Sequence, residues 1–482
     1  MNAIPAHVQV SGYRQAIDGK AVPGESAFPV INPAKGAPFA ECPAASKEQL
    51  EQAVAAARRA FPAWSRTTLE ARRRVLHALA DAMEADVEML AGILTAEQGK
   101  PLARSRDEVV RAAFQMRWLA SIEIPNQTGT DSAGRPFEVR YRPIGVVGAI
   151  TPWNVPVVLA VWKIAHALYT GNTVVLKPSP YTPLATLRLG ELANRVVPPG
   201  VVNVIAGGDD LGRWMTEHPG IDKISFTGST RTGKKVMASA AGNLKRVGLE
   251  LGGNDAAVVL KDVNPRKVAQ RLFDGAFTNS GQICMAIKRL YAEAPVFEAV
   301  CEELEKLARS ARVGDGFDPA VTMGPVQNAM QYKLVNDVLA EVENDPRASI
   351  LGGGQDLPSA GYFIAPRVVA NPSEHTRLVQ EETFGPLLPV LSFDDPDEVI
   401  EKANATRYGL GGSIWSGDLD RASELARQLE VGTAWVNHHL GSDPMLPFGG
   451  MKESGIGREM SLLGLHHYME AQVLSVRPLG SA

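Results

Sequence analysis

Cysteine is scarce in this chain: Cys42, Cys284 and Cys301 are the only three among 482 residues. So few thiols build no disulfide framework, and no CxxC pair or Cys/His cluster suggests zinc, so no metal site is expected. Long hydrophobic runs are missing too. No stretch reaches the roughly 18 apolar residues of a membrane span, and Met1 to Lys20 lack the apolar run of a signal peptide. An excess of one charge is also lacking. The balance of 49 basic against 53 acidic residues leaves −4, which gives neither nucleic acid nor an anionic membrane a reason to be a partner. There is no internal repeat and no low-complexity tail. The expectation is a soluble cytoplasmic protein of a reducing compartment.

Glycine and proline are plentiful, at 45 and 33 residues, beside 45% hydrophobic content. Many tight connections suit an α/β protein, and the length suits roughly two or three domains. Val30-Ile31-Asn32-Pro33 reads as a strand ending at a turn. Ser46 to Gln49 makes a capping box for an amphipathic helix carrying Leu50, Ala53, Val54, Ala57 and Phe61. A second helix is predicted from near Thr68 to Gln98, stopped by Gly99 and Pro101. A third runs through Val109, Ala112, Ala113 and Met116; the charged sides of these helices read as solvated surface. Asn126 to Arg142 alternates like an exposed hairpin around Ser132-Ala133-Gly134. Its open edge needs a cover, and a subunit partner is the expected one.

From Ile144 the pattern becomes β-α-β. Strands are predicted at Gly145–Ile150, Thr173–Lys177, Val201–Ile205 and Lys223–Phe226. Helices are predicted at Val157–Tyr169 and Pro183–Val197, the latter with Thr182 as N-cap. Apolar strands alternating with helices imply a parallel sheet covered on both faces. Such sheets bind ligands at the carboxyl ends of their strands. Thr151-Pro152-Trp153-Asn154, Lys177-Pro178-Ser179-Pro180 and Phe226-Thr227-Gly228-Ser229 to Gly233 lie at such ends. Gly228 lets the backbone approach a phosphate at a helix N-terminus, although the stretch is neither GxGxxG nor a Walker A loop. The plain alternative for Lys177 is a solvated lysine.

Further on, Glu250 sits inside the apolar, glycine-rich run Arg246 to Asn254. A Glu is rarely buried without a partner, and desolvation raises its pKa towards that of a general base. A salt bridge to Arg246 is the alternative. In Thr278 to Ala286, Gly281 permits a sharp turn that points Cys284 at a ligand; a small buried hydrophobe is the alternative. Later strands are predicted at Tyr362–Pro366, Leu387–Leu391, Thr433–Asn437 and, as a final edge, Ala471–Val476.

Taken in order, Thr151-Pro152-Trp153-Asn154, Phe226-Thr227-Gly228-Ser229, Glu250-Leu251-Gly252-Gly253, Gly281-Gln282-Ile283-Cys284, Glu382-Thr383-Phe384-Gly385-Pro386 and Pro447-Phe448-Gly449-Gly450 resemble the aldehyde dehydrogenase superfamily. The likeness covers essentially the whole chain. It is strongest to the NAD(P)-dependent, non-acylating members, including those acting on betaine aldehyde and aromatic aldehydes. It implies a Rossmann-like cofactor-binding domain from residues 1–124 and 143–251, and an α/β catalytic domain over 252–459. A small β oligomerisation element would come from residues 125–142 and 460–482, serving a homodimer or homotetramer.

The resemblance also implies roles. Cys284 is the nucleophile, acting as thiolate. The Asn154 amide and the Cys284 N–H stabilise the oxyanion, Glu250 activates the hydrolytic water, and Lys163 supports the site. Lys177 and Ser179 face the adenine ribose, Ser229 the pyrophosphate, and Glu382 the nicotinamide ribose, with Phe384 beside the ring and Trp153 in the groove. Ile150, Thr151, Gly228, Gly233 and Leu251 complete the cofactor contacts. Members preferring NAD often carry a Glu three residues after the lysine; here Pro180 stands there. NAD is the expected cofactor, with NADP left open. Val155, Leu159, Trp162, Ile283, Met285, His438, His439 and Phe448 are the candidate substrate pocket, unless the two histidines merely bond the backbone. With no arginine in the Asn437–Pro447 loop, a medium-sized or aromatic aldehyde is expected. The rival readings are a CoA-acylating enzyme, which Glu250 argues against, and a catalytically silent structural or binding protein.

Overall fold

A computed structural model describes residues 4–441 and 443–477; the end of the C-terminal segment, 478–482, lies outside the described residues. The α/β pattern resolves into two large sheets. The first has eight strands, in the order Lys20–Val22, Gln15–Ile17, Val202–Val204, Thr173–Lys177, Val146–Ile150, Lys223–Thr227, Arg246–Glu250 and Gly455–Ile456. The central five are parallel, and antiparallel strands flank them on both sides. The register pairs Ile150 with both Lys177 and Phe226, and Thr227 with Glu250. The carboxyl ends of four strands therefore line up, and Thr151, Lys177, Thr227 and Glu250 share one edge.

The second sheet has seven strands, from Ser349–Gly352 through Arg367–Ala370, Leu387–Phe393, Ile287–Glu293, Asp255–Val259 and Gly411–Trp415 to Thr433–Val436. All its pairings are parallel except the one at Ser349–Gly352. The chain passes from one sheet to the other between Glu250 and Asp255. The loop before Cys284 feeds the strand Ile287–Glu293, so this crossing and that loop meet between the sheets.

The helix Pro156–Tyr169 is buried at every position. A helix apolar all round belongs in a core, and each buried Leu or Val side chain in it contributes about 1.5–3 kcal/mol. Its two basic residues, Lys163 and His166, therefore need partners inside the protein.

The exposed hairpin forms as predicted, from Gln127–Thr130 and Pro136–Pro143, and Met469–Ser475 adds a third strand beside it. Val473 and Leu474 are exposed on that strand. Among the described residues no helix is long and apolar enough to cross a membrane.

Three local expectations differ. The helix predicted from Thr68 to Gln98 breaks at Asp86 into Leu69–Ala85 and Val87–Gln98. Asp86 leaves helical geometry there, and its carboxylate holds Arg188 at 2.7 Å. Thr182 does not cap the next helix, which spans Leu184–Val196. Glu97 takes that place from a distant helix, accepting from the N–H groups of Leu184 and Ala185 at 2.7 and 2.9 Å. Tyr362–Pro366 is not a strand; the strand is Arg367–Ala370. Tyr362 instead bonds the backbone of Pro33 and Val326, which pulls it off the sheet.

Candidate active site

The loop before Cys284 turns sharply because three consecutive residues, Asn279, Ser280 and Gly281, take φ of 54°, 58° and 74°. Left-handed backbone at two non-glycine residues is strained and persists only when its surroundings hold it. The holding is visible. Ser280 Oγ donates to the Gly324 carbonyl at 2.8 Å, and Gln282 Oε1 accepts from Gln327 N at 2.9 Å. At Gly281 only glycine fits, since a Cβ would overlap the Gly385 carbonyl oxygen. That close approach sets the Glu382–Pro386 turn against the cysteine loop. Cys284 itself remains partly exposed.

Asn154 reaches this loop from the first sheet. Its Nδ2 donates to the Gln282 carbonyl at 2.9 Å, and its own carbonyl accepts from Asn279 Nδ2 at 3.0 Å and Lys100 Nζ at 2.9 Å. Lys100 is buried and paired with Glu108 at 2.5 Å. The other Glu108 oxygen accepts from Val157 N and Val158 N, the first turn of the helix that follows Asn154. One buried ion pair thus fixes both the backbone and the helix behind the amide.

Glu250 approaches Cys284 at the end of its strand. It is buried, and among the described residues no hydrogen bond of good geometry reaches its carboxylate oxygens; the Cys284 thiol is the group that faces them. Arg246, its suggested partner, pairs with Glu470 instead. Burial pushes Glu250 up to about 8, the negative charge of Glu459 adds to this, and the Cys284 thiol and Lys163 oppose it. Burial and the Glu250 charge likewise hold the Cys284 thiol well above its ordinary value, with Lys288 pulling it down. Lys163, wholly covered, donates to Glu459 at 2.8 Å and Ser225 at 3.1 Å. His166 on the same helix turns away, accepting from Met460 N at 2.9 Å.

The carboxyl edge of the first sheet carries several unsatisfied polar atoms. Among the described residues Thr151 Oγ1 and Thr227 Oγ1 are buried without hydrogen-bond partners of good geometry, as are both Glu250 oxygens. Lys177 is 3% exposed rather than solvated; burial lowers it to about 8, opposed by Asp209. Ser179 is buried beside it. Ser229 caps the helix Thr230–Ala240, Gly233 packs on Leu251, and the Gly228 N–H is taken by the Glu250 carbonyl. Glu382 Oε1 accepts from Gly253 N at 3.2 Å, and a Cβ at Gly252 would collide with Oε2. Phe384 meets Trp153 edge-on, ring centroids 5.3 Å apart. Ile150 lies buried at the end of its strand.

An apolar wall adjoins the thiol. Val155, Cys284 and Met285 pack on one cluster that includes Leu159, Trp162 and Phe448. Trp162 and Phe448 meet edge-on at 5.7 Å, and Trp162 Nε1 donates to Gln115 at 2.7 Å. Ile283 is partly exposed in the loop, and His438 is exposed beside Trp435. His439 does not line this wall. Its side chain is fully covered, bonded to Ser413 Oγ at 2.9 Å and the Met285 carbonyl at 3.0 Å. These bonds brace the loop, one of them on its backbone.

Lys100, Glu108, Lys288 and Glu459 escaped the sequence reading. Glu108 follows Arg106 and Asp107, and Lys288 precedes Arg289, so neither stands out as a lone charge in an apolar run as Glu250 does. Nothing linear connects Glu459 to Lys163.

A sequence profile described as the aldehyde dehydrogenase family matches residues 21–474. The chain belongs to the aldehyde dehydrogenase family. It is an oxidoreductase acting on aldehydes. Phenylacetaldehyde dehydrogenase of Pseudomonas fluorescens is 40% identical over 464 residues, 93% of this chain and 92% of that one. Betaine aldehyde dehydrogenase of Staphylococcus aureus, solved with NAD+, superposes with a TM-score of 0.92 at 33% identity, covering 96% and 94% of the two chains. Indole-3-acetaldehyde dehydrogenase of P. syringae, solved with NAD+, superposes with a TM-score of 0.94 at 32% identity, covering 98% of each. The aldehyde dehydrogenase fold thus accounts for the chain nearly end to end.

Proposed function

We propose that the protein oxidises a medium-sized or aromatic aldehyde to its carboxylic acid with NAD(P)+, through covalent intermediates on Cys284. The observation that carries this is the convergence of Cys284, the Asn154 amide and the unpartnered Glu250 carboxylate at one junction between the sheets. An aldehyde carbon releases hydride only after a nucleophile has added to it. The Cys284 sulfur adds as thiolate, giving a thiohemiacetal. The developing oxyanion takes hydrogen bonds from the Asn154 Nδ2 proton that Gln282 leaves free and from the Cys284 N–H. NAD(P)+, when bound, supplies the hydride acceptor. Loss of hydride leaves a thioester on Cys284. Glu250 takes a proton from water, which attacks the thioester and frees the acid. Lys163 supports Glu250 from behind by holding Glu459.

The residues present suit the nucleotide. Thr151 and Thr227 hydroxyls without partners among the described residues, buried Lys177 with protons to spare and the helix N-terminus at Ser229 lie along one edge. Lys177 and Ser179 would hold the adenine ribose and Glu382 the nicotinamide ribose. Two relatives solved with NAD+ support NAD; Pro180 supplies no carboxylate against a 2′-phosphate. We read the first sheet as the cofactor domain and the second as the catalytic domain. The three-stranded sheet, open at both edges, would pair in a homodimer or homotetramer; sedimentation tests this.

The deciding experiment is an aldehyde panel with each cofactor, with and without CoA, following reduced nicotinamide. Oxidation independent of CoA and abolished in Cys284→Ala is the expected outcome. Strict CoA dependence supports the acylating reading, and silence across the panel supports a binding role.

A further inference from the structure

Lys288 is the second residue of the buried strand Ile287–Glu293 that follows the cysteine, with its ammonium folded back into the loop. Nζ donates to the carbonyls of Cys284 at 2.6 Å and Ile283 at 2.9 Å, and lies 3.5 Å from that of Ala286. Glu382 Oε1 is 3.4 Å away, and the Phe384 ring centroid 5.8 Å. The side chain is 7% exposed. A lysine so covered would not be kept among carbonyls unless its charge and donors were used.

We propose that Lys288 is a positioning residue for Cys284, aiming the oxyanion N–H, favouring the thiolate and tying the cysteine loop to Glu382. This rests on the reading of Cys284 as nucleophile. In a planar trans peptide the carbonyl and the N–H point in opposite directions. Holding the Ile283 carbonyl therefore turns the Cys284 N–H away from Lys288. Among the described residues that N–H has no acceptor, which leaves it for substrate. The same ammonium, held on the Cys284 and Ile283 carbonyls, is the cation that acts on the thiol. The other charges facing the thiol are acidic: Glu250 from the first sheet and Glu382 from the turn packed on Gly281. Beyond them stand Lys163 and Glu459 behind Glu250, Asp255 near Glu382, and His439 on the Met285 carbonyl. Two carboxylates oppose a thiolate here, and Lys288 opposes them. The contact with Glu382 also makes the cysteine loop and the proposed ribose ligand one unit.

The test is alkylation of Cys284 by iodoacetamide in the full-length protein across pH, with the modified peptide identified by mass spectrometry. It needs no aldehyde turnover, so its result is separable from that of Cys284→Ala, which tests the catalytic reading. Lys288→Met is expected to move the alkylation profile up by about one pH unit, an about ten-fold slower reaction at neutral pH. Its kcat should fall more than its KM for aldehyde. Lys288→Arg, which keeps the charge, is expected to keep the wild-type profile. If Lys288→Met does not fold, Lys288→Gln carries the same expectation. An unmoved profile in the neutral variant, or a Lys288→Arg profile displaced as far as Lys288→Met, overturns the proposal.

Discussion

The side-chain amide of Asn154 donates to the main-chain carbonyl of Gln282 at 2.9 Å, joining positions 128 residues apart. One N–H keeps the amide beside the cysteine loop; in the proposed mechanism the other donates to the oxyanion. Asn154→Ala is expected to lower kcat by about 10²–10³-fold, the usual effect of losing one oxyanion donor. KM for aldehyde should change little. Steady-state kinetics with saturating cofactor decide this, and an equal loss in binding would contradict the assignment.

Glu250 faces Cys284 and has no ion-pair partner among the described residues, so on the proposed mechanism its loss should uncouple the two halves of the reaction. Glu250→Gln should still release a first equivalent of reduced nicotinamide, then stall as the thioester persists. Steady turnover is expected to fall by at least about 100-fold. A stopped-flow trace without such a burst would remove Glu250 from thioester hydrolysis.

The raised Glu250 pKa also predicts a pH signature in stability. Between its ordinary value of 4.5 and about 8, the folded chain keeps a proton that the unfolded chain has lost. Across that window the group lowers wild-type stability as pH rises, and above it the difference is constant. Glu250→Gln carries no such dependence. Its Tm relative to wild type should therefore climb from pH 5 to pH 8 and then level off; a flat difference in scanning calorimetry counts against the raised value.

Lys100 and Glu108 form a buried pair, at 4% and 2% exposure. Removing one partner strands the other charge, so Lys100→Met should destabilise by about 3–5 kcal/mol in urea unfolding. Any loss of activity routed through Asn154 should not add to that of Asn154→Ala, which a double-mutant cycle measures.

Cofactor choice should respond to residue 180. Pro180→Glu would add a carboxylate near the proposed ribose site, repelling a 2′-phosphate. KM for NADP is expected to rise at least about ten-fold while that for NAD barely moves. Equal changes for both would place position 180 away from the ribose.

Much was legible from one dimension. Apolar strands alternating with helices dictated parallel sheets, because a strand buried on both faces admits little else. The capping box at Ser46 is local chemistry and formed as read. Glu250 stood out because an acid in an apolar run advertises an unusual environment. The break at Asp86, the cap supplied by Glu97 and the non-strand at Tyr362 were illegible for one shared reason. Each is decided by a partner far along the chain, Arg188, Leu184 and Pro33 respectively.

Residue types and local backbone needs were thus written in the sequence: a thiol after a left-handed turn, an amide at a strand end, an acid among glycines. What tertiary structure alone decided was their company. Strand register, not spacing, aligned Thr227 with Glu250. Close approach at Gly281 drew the Glu382 turn onto the cysteine loop, and burial, a property of the packed whole, set which protons each group holds.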